Sequence, residues 1–479
     1  MGTENAPTLV IREIETGVRP VQLRMPFRFG SVTLSACPQL FVRVSAEVTG
    51  RGVSVGHAAE LMVPKWFDKR PEFTLADNVT QLAESVELAS QAYLFDSPAK
   101  AFELFGRHHA GVQSQAHRRG FTQLTASFGQ AVIDRAVIDA VCKSLDLSFF
   151  DAARSNAFGL EAHALIADMQ GFDFDAWLER LSPSTTIAAR HTIGMLDELD
   201  GGDATGQDLP RSLAAVIASY GNRFFKIKLG GDPAKDVRRV AEVLAVLDRL
   251  VPLHHYTLDG NEQYHDGPML LELFDGLADL PAFSKRPDAL LYLEQPVSRD
   301  MSLDHPLAAG APAPLLLDEA DGTLDAFVRA REQGWTGVSS KGCKGIYKAM
   351  INRARCDRWN DEARRDGLPP AFFMSAEDLT CQAGLAVQQD LAIASLLGLA
   401  HCERNGHHYV DGFGDAPAKE QRSFALLHND VYESSSGHPR LAIKDGCIAV
   451  DSLFKTGFAH RVDPDWRQMQ PLSRAGALV

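Results

Sequence analysis

Apolar and polar residues alternate through Thr33-Leu34-Ser35 and Leu40-Phe41-Val42-Arg43-Val44, with Gly50 and Gly52 beyond them as turn residues. That pattern predicts a small antiparallel sheet near the N-terminus. From 78 to about 147 the period becomes helical, as at Ile133, Val137, Ile138 and Val141, with Asp134 and Asp139 assigned to an exposed face. After about Thr185, short apolar runs alternate with amphipathic stretches, at 188–195, 224–229, 255–258, 290–293, 315–317, 337–340, 371–374 and 398–402. The alternation predicts βα units and an α/β fold with a parallel sheet. Eight strands match a (β/α)8 TIM-type barrel, and periodicity alone also admits an open sheet. The Gly- and Asp-rich stretch 199–209 is expected to be a solvated loop after the first of these strands.

A chain of 479 residues is too long for one compact core, so two domains are expected. Hydrophobic residues at 45% and charged residues at 23% give ordinary globular composition. The net charge of -14 would repel nucleic acid and anionic membranes, and neither is expected as a partner. No apolar run approaches the ~20 residues of a membrane helix. The first ten residues lack signal-peptide blocks, so a cytoplasmic protein is expected. Cys37, Cys142, Cys343, Cys356, Cys381, Cys402 and Cys447 form no Cys-x-x-Cys pair and read as reduced thiols.

Chemistry gathers where the barrel strands end. Lys226-Ile227-Lys228 closes the second, and period-two geometry turns both lysines to one side. Neighbouring ammonium groups disfavour each other's charge, which lowers the pKa of at least one and makes a base. On an exposed strand the same tripeptide is plain surface charge. Asp259, Glu294 and Asp318 follow at the next three strand ends, each about one βα unit after the last. A closed barrel gathers them at its C-terminal rim, where a hard cation such as Mg2+ removes their repulsion. Each acid alone also reads as a helix N-cap. Lys341 ends the sixth strand, across the barrel from the second, so one base faces each side of a bound carbon. Glu319, beside Asp318, is expected either to hold Lys341 by a hydrogen bond or to start the next helix.

Taken in order, Lys226-Ile227-Lys228, Asp259-Gly260-Asn261, Glu294-Gln295-Pro296, Asp318-Glu319 and Lys341 resemble the enolase superfamily, within it the muconate lactonizing enzyme subgroup of the mandelate racemase/muconate lactonizing enzyme family. Leu124-Thr125-Ala126-Ser127-Phe128 and the stretch from Ile133 to Asp139 are similar to the family's capping-domain helix. The resemblance implies an α+β capping domain at 1–183, completed by 433–479, over a modified barrel at 184–432. It implies Mg2+, with Mn2+ as the alternative, bound by Asp259, Glu294 and Asp318 and holding a small-molecule carboxylate substrate. Lys228 or Lys341 would remove the α-proton and the cation would stabilise the enediolate. Lys226 would tune Lys228, and the chain would form a homo-oligomer. Racemization or epimerization, dehydration and cycloisomerization share this first step, which makes the expected enzyme an isomerase or lyase.

Substrate contacts are expected from Asn261, Trp66, Glu377 and Lys344, with capping loops near Met25 to Phe29 and Val63 to Phe67 setting specificity. At least two of Phe27, Phe29, Trp66 and Phe67 are expected in the core. Departures from the family's pattern narrow the reaction. Lys344 follows Lys341 closely, either as a contact for a second acidic group or as an exposed lysine. Ser375-Ala376-Glu377-Asp378 carries no His of the mandelate racemase type, and His401-Cys402-Glu403-Arg404-Asn405 lacks the Asp-x-Asp of dipeptide epimerases. Glu377, Glu403 and Arg404 are expected at the pocket mouth or in solvated loops. Surplus length at 91–120 and 281–288 is expected as insertions over the pocket or at an oligomer surface. A noncatalytic enolase-like protein for ligand binding or assembly is the alternative, and the intact lysines weigh against it.

Overall fold

The computed structural model describes residues 2–30, 32–201, 209–307, 310–435 and 438–479, and most of the expected loop at 199–209 lies outside them. The N-terminal alternation folds as an antiparallel sheet of β1 (Thr8–Phe29), β2 (Val32–Val48), β3 (Gly52–Leu61) and β4 (Ala99–Lys100), in the order β3-β2-β1-β4. In β2, buried Val42, Val44, Ala46 and Val48 alternate with the less buried Arg43, Ser45 and Glu47, which fixes the buried face. β1 has no counterpart among the expected strands. Gly17, Pro20 and two irregularities of register interrupt its alternation.

Three helices cover this sheet: α1 (Leu75–Tyr93), α2 (Ala101–Arg118) and α3 (Gln123–Leu145). α3 packs on β2 and β3 and in turn carries α1 and α2. Contrary to expectation, α3 has no exposed face from Leu124 to Cys142, and Asp134 and Asp139 are both buried. Each buried acid is satisfied, as burial requires. Asp134 accepts the Tyr93 hydroxyl at 2.8 Å, and Asp139 accepts the backbone N–H groups of His57 and Phe458. The surplus at 91–120 is largely α2, whose Phe102, Leu104 and Phe105 are buried. That at 281–288 includes the short helix Pro281–Lys285, packed on helices Pro233–Leu250 and Gly267–Ala278.

The barrel comprises β5 (Thr186–Ile193), β6 (Phe224–Lys228), β7 (His255–Asp259), β8 (Leu290–Glu294), β9 (Leu315–Leu317), β10 (Gly337–Ser340), β11 (Phe373–Ala376) and β12 (His401–Glu403). Neighbours pair in parallel, and β12 pairs with β5, closing the barrel. The open-sheet alternative is thereby excluded. Beyond it, β13 (Tyr432–Ser435) and β14 (His438–Leu441) form a hairpin, and β15 (Cys447–Ala449) adds to β5 antiparallel. The chain then returns to the N-terminal layer, where Gln470 bridges Val18 and the turn Leu472–Leu478 packs on α1.

One hydrophobic cluster runs from the N-terminal sheet through α1 to α3 into the β10–β12 side of the barrel, and a second fills the opposite side. The β10 rim is therefore joined to α3 by continuous packing. A Cβ on Gly342, just past β10, would lie 2.9 Å from Nη1 of Arg135 on α3. No described helix is long and apolar enough to cross a membrane.

Candidate active site

Parallel register sets the first three side chains edge to edge: Lys228 pairs with Asp259 across β6–β7, and Asp259 with Glu294 across β7–β8. Asp318 follows β9 directly. Gln295 fixes it by accepting the backbone N–H groups of Asp318 and Ala320 at 3.0 and 3.1 Å. All of these groups are buried. Lys228 Nζ donates to Asp259 Oδ2 at 2.6 Å and to Asn261 Oδ1 at 3.0 Å. Asn261, Glu262 and Gln295 all have positive φ, a concentration of backbone strain typical of functional loops.

Lys226 departs from expectation. Its Nζ sits among Asp259 at 2.8 Å, Glu294 at 2.8 Å, Glu377 at 2.9 Å and Glu403 at 3.0 Å. Burial opposes its charge, yet these four carboxylates hold its pKa well above the usual lysine value. The lowering expected from a second ammonium does not occur at Lys226, because carboxylates outnumber it. Glu377 and Glu403, expected at the pocket mouth or in solvated loops, are instead fully buried. Glu377 also pairs with Arg190 of β5 and accepts the Tyr292 hydroxyl at 2.7 Å. Glu403 accepts Thr192 Oγ1 at 2.5 Å and the Asp378 N–H at 2.9 Å. Arg404 is buried too, paired with Asp390. Arg190 and Tyr292 escaped the sequence reading. The signal was present, a charged residue inside the buried run of β5, but which way it points depends on barrel closure.

Across the barrel, Lys341 Nζ donates to Asp318 Oδ2 at 2.6 Å and lies 4.3 Å from the centre of the Trp66 ring. Burial disfavours its charge, but Asp318 raises its pKa above the ordinary value. Burial likewise opposes ionisation of Asp318, and Lys341 with Lys344 overcomes it and keeps the acid far below its normal range. Lys344 is not exposed. It is buried between Ser339 Oγ at 2.5 Å, Asp321 Oδ2 at 3.0 Å and Asp318 Oδ1 at 3.4 Å. Glu319 accepts from Lys69 at 2.9 Å and from Asn261 Nδ2 at 3.1 Å rather than from Lys341. Lys69 reaches in from the segment following β3, and nothing in its local sequence marked it. Trp66, Phe67, Phe27 and Phe29 are all buried, and Trp66 alone of them stands over a rim lysine.

Asp259, Glu294 and Asp318 offer only carboxylate oxygens, the donors a hard divalent cation takes, but their oxygens do not gather within 4.8 Å of one another here: Asp259 and Glu294 converge on Lys226, and Asp318 on Lys341 and Lys344. Glu294 Oε2 makes no hydrogen bond despite its 2.8 Å approach to Lys226, and burial with Asp259 and Glu377 nearby pushes its pKa well up. A buried acid so placed has a use for added positive charge.

No family model matches the chain, and no curated protein matches it. Solved structures do. A muconate lactonizing enzyme from Pseudomonas fluorescens, complexed with muconolactone, superposes with a TM-score of 0.57 at 14% identity, covering 95% of this chain and 97% of that one. A dipeptide epimerase from Cytophaga hutchinsonii, with Mg and D-Ala-L-Val, gives 0.58 at 13%, covering 96% and 98%. An enolase from Bradyrhizobium, with magnesium and mandelic acid, gives 0.58 at 15%, covering 96% of each chain. The chain thus shares the fold of these structures, a closed parallel barrel with a separate antiparallel layer beside it, the architecture that the motif resemblance implied.

Proposed function

We propose that this chain is an enolase-superfamily enzyme that moves a proton at the carbon next to a substrate carboxylate. Asp259, Glu294 and Asp318 would hold Mg2+, which supplies positive charge to that carboxylate when bound. The observation carrying the reading is the placement of Lys228 at the end of β6 and Lys341 just past β10, opposite strands of a closed eight-stranded barrel, each hydrogen-bonded to one of these carboxylates. A base on either side of one carbon suits removal of a proton from one face and its return on the other, which is racemization or epimerization. Lys341 now has its proton held by Asp318, and it becomes a usable base when that carboxylate is engaged elsewhere. Lys226, charged and buried, orients Glu294, Glu377 and Glu403 and is a positioning residue in this scheme. Asn261 and Trp66 border Lys228 and Lys341 and would shape the substrate's surroundings.

The test is solvent exchange. Libraries of acid sugars, N-acylamino acids and dipeptides are incubated with the protein and Mg2+ in deuterated water and read by mass. Uptake of one deuteron without loss of water is the expected outcome for a racemase or epimerase, and a mass deficit of one water assigns a dehydratase. Lys228→Ala and Lys341→Ala should each reduce exchange by about 10^2 to 10^4-fold, the worth of a positioned acid or base. If the intact protein exchanges no acid in the library, the noncatalytic binding reading takes its place.

A further inference from the structure

A second group of ligand-type side chains lies outside the barrel, where β3, α3 and the C-terminal segment meet. His57, Asp139 and His460 are all buried, and each offers one ligand atom within 4.8 Å of the other two. His57 Nδ1 and His460 Nε2 are 3.2 Å apart, and His460 Nε2 is 3.5 Å from Asp139 Oδ2. Lys143 Nζ completes a fourth corner, 2.8 Å from Asp139, 3.1 Å from His460 and 3.5 Å from His57. A regular tetrahedron whose corners lie about 2.0–2.1 Å from its centre, the zinc–nitrogen distance, has edges of about 3.3 Å. Five of the six edges run from 2.8 to 3.5 Å and scatter around that value, and the sixth, His57 to Asp139, is within 4.8 Å.

We propose that His57, Asp139 and His460 form a Zn2+ site, with Lys143 swinging outward and water taking the fourth corner. Lys143 can leave because its side chain is a quarter exposed, whereas the three ligands are almost wholly enclosed. Asp139 is already oriented for the task by the backbone N–H groups of His57 and Phe458. The outer nitrogen of His57 makes no hydrogen bond and lies 3.6 Å from Asp463, a carboxylate of the kind that orients metal-bound imidazoles. Burial drives both imidazoles toward the neutral form that metals require, His57 to about 3 and His460 well below its usual value. The other compact group, Asp378, Cys381 and Asp390, has no such opening, because Arg404 already fills it. Zinc here would pin the returning C-terminal segment to β3 and α3, a structural role separate from the barrel chemistry.

Co2+ distinguishes the two sites, because tetrahedral nitrogen-containing coordination absorbs visible light far more strongly than octahedral all-oxygen coordination. The metal-stripped full chain is titrated with Co2+ in saturating Mg2+, then with Zn2+. A single equivalent should give an intense visible band that one equivalent of Zn2+ abolishes. His460→Gln should lose the band and bind Zn2+ about 100-fold more weakly or worse. Lys143→Met should keep the band and take Zn2+ more tightly. Asp259→Asn, altered only at the barrel rim, should keep it and covers the case in which the His460 variant does not fold. A wild-type chain without the band, a His460 variant that retains it, or an Asp259 variant that loses it would each overturn the proposal.

Discussion

Gln295 carries more of the rim than its neutral side chain suggests. Its Oε1 accepts two backbone N–H groups, those of Asp318 and Ala320, while its Nε2 donates to Val297 O at 2.9 Å and Ser302 Oγ at 2.7 Å. Its own φ of 33° lies in the left-handed region, a strain of about 1–3 kcal/mol that these four bonds offset. Gln295→Ala should therefore release Asp318 and weaken Mg2+ binding about 10 to 100-fold, the usual cost of removing a group that orients a ligand. Calorimetric Mg2+ titration checks this, and an unchanged affinity would show that Asp318 is held by other means. The rim positions themselves were legible in the sequence, because Lys228, Asp259, Glu294 and Asp318 each stand at or next to the end of an apolar run, and Lys341 follows Gly337-Val338-Ser339-Ser340 one βα unit after Asp318. What Glu377 and Glu403 do was not legible. Their burial against Lys226 and Arg190 exists only after β11 and β12 close onto β5.

At the scale of elements, the α1–α3 crossing turns on one missing methyl group. A Cβ on Gly129 would lie 2.2 Å from the backbone oxygen of Ser85, in the middle of α1. On helix propensity alone, Gly→Ala inside a helix stabilises by about 1 kcal/mol. Overpacking against a backbone that cannot rotate away costs typically 1–3 kcal/mol and sometimes more. With the clash set against backbone, the steric term wins, so Gly129→Ala should lower unfolding stability by up to about 2 kcal/mol net, read as a lower urea midpoint. A gain in stability would mean that the two helices can separate without loss. The same crossing explains why α3 misled pattern reading. Period 3.6 correctly gave a helix, but a helix enclosed by a sheet, two helices and a barrel rim has no solvent face on which to place Asp134 and Asp139. The barrel strands were easier to read because a parallel sheet covered by helices has apolar strands bounded by breakers. Only the last two begin later than expected, at Phe373 and His401.

Over the whole molecule, closing one layer onto another leaves many imidazoles without water. Burial lowers His191 on β5 and His401 on β12 to about 3, and His57 on β3 to about 3, with nearby cations adding to the effect. In the unfolded chain each would titrate near 6.5, so between about pH 6.5 and pH 3 the unfolded state binds more protons than the folded one. Stability from these groups is fully present above pH 6.5 and falls as the pH drops through that window. Glu262, held near 2 by Lys69 and Arg299 against the effect of burial, adds a loss of the same sign below about pH 4.5. Glu60 acts the other way. Burial raises it to about 7 despite Arg135, so its contribution is present below about pH 4.5 and is lost as the pH rises through 7. Among the described residues nine imidazoles are lowered against five raised carboxyls, Glu60, Asp134, Asp197, Glu294 and Asp390, so the net slope is positive, and the protein should unfold more easily in urea at pH 5 than at pH 7.5. At pH 5 a group moved from 6.5 to about 3 costs about 2 kcal/mol, from ~1.4 kcal/mol per unit over the interval between 6.5 and 5. His191→Asn, which cannot take up that proton, should narrow the gap between the two pH values by about this amount. An unchanged gap would mean that His191 is protonated, or reached by water, in the folded protein.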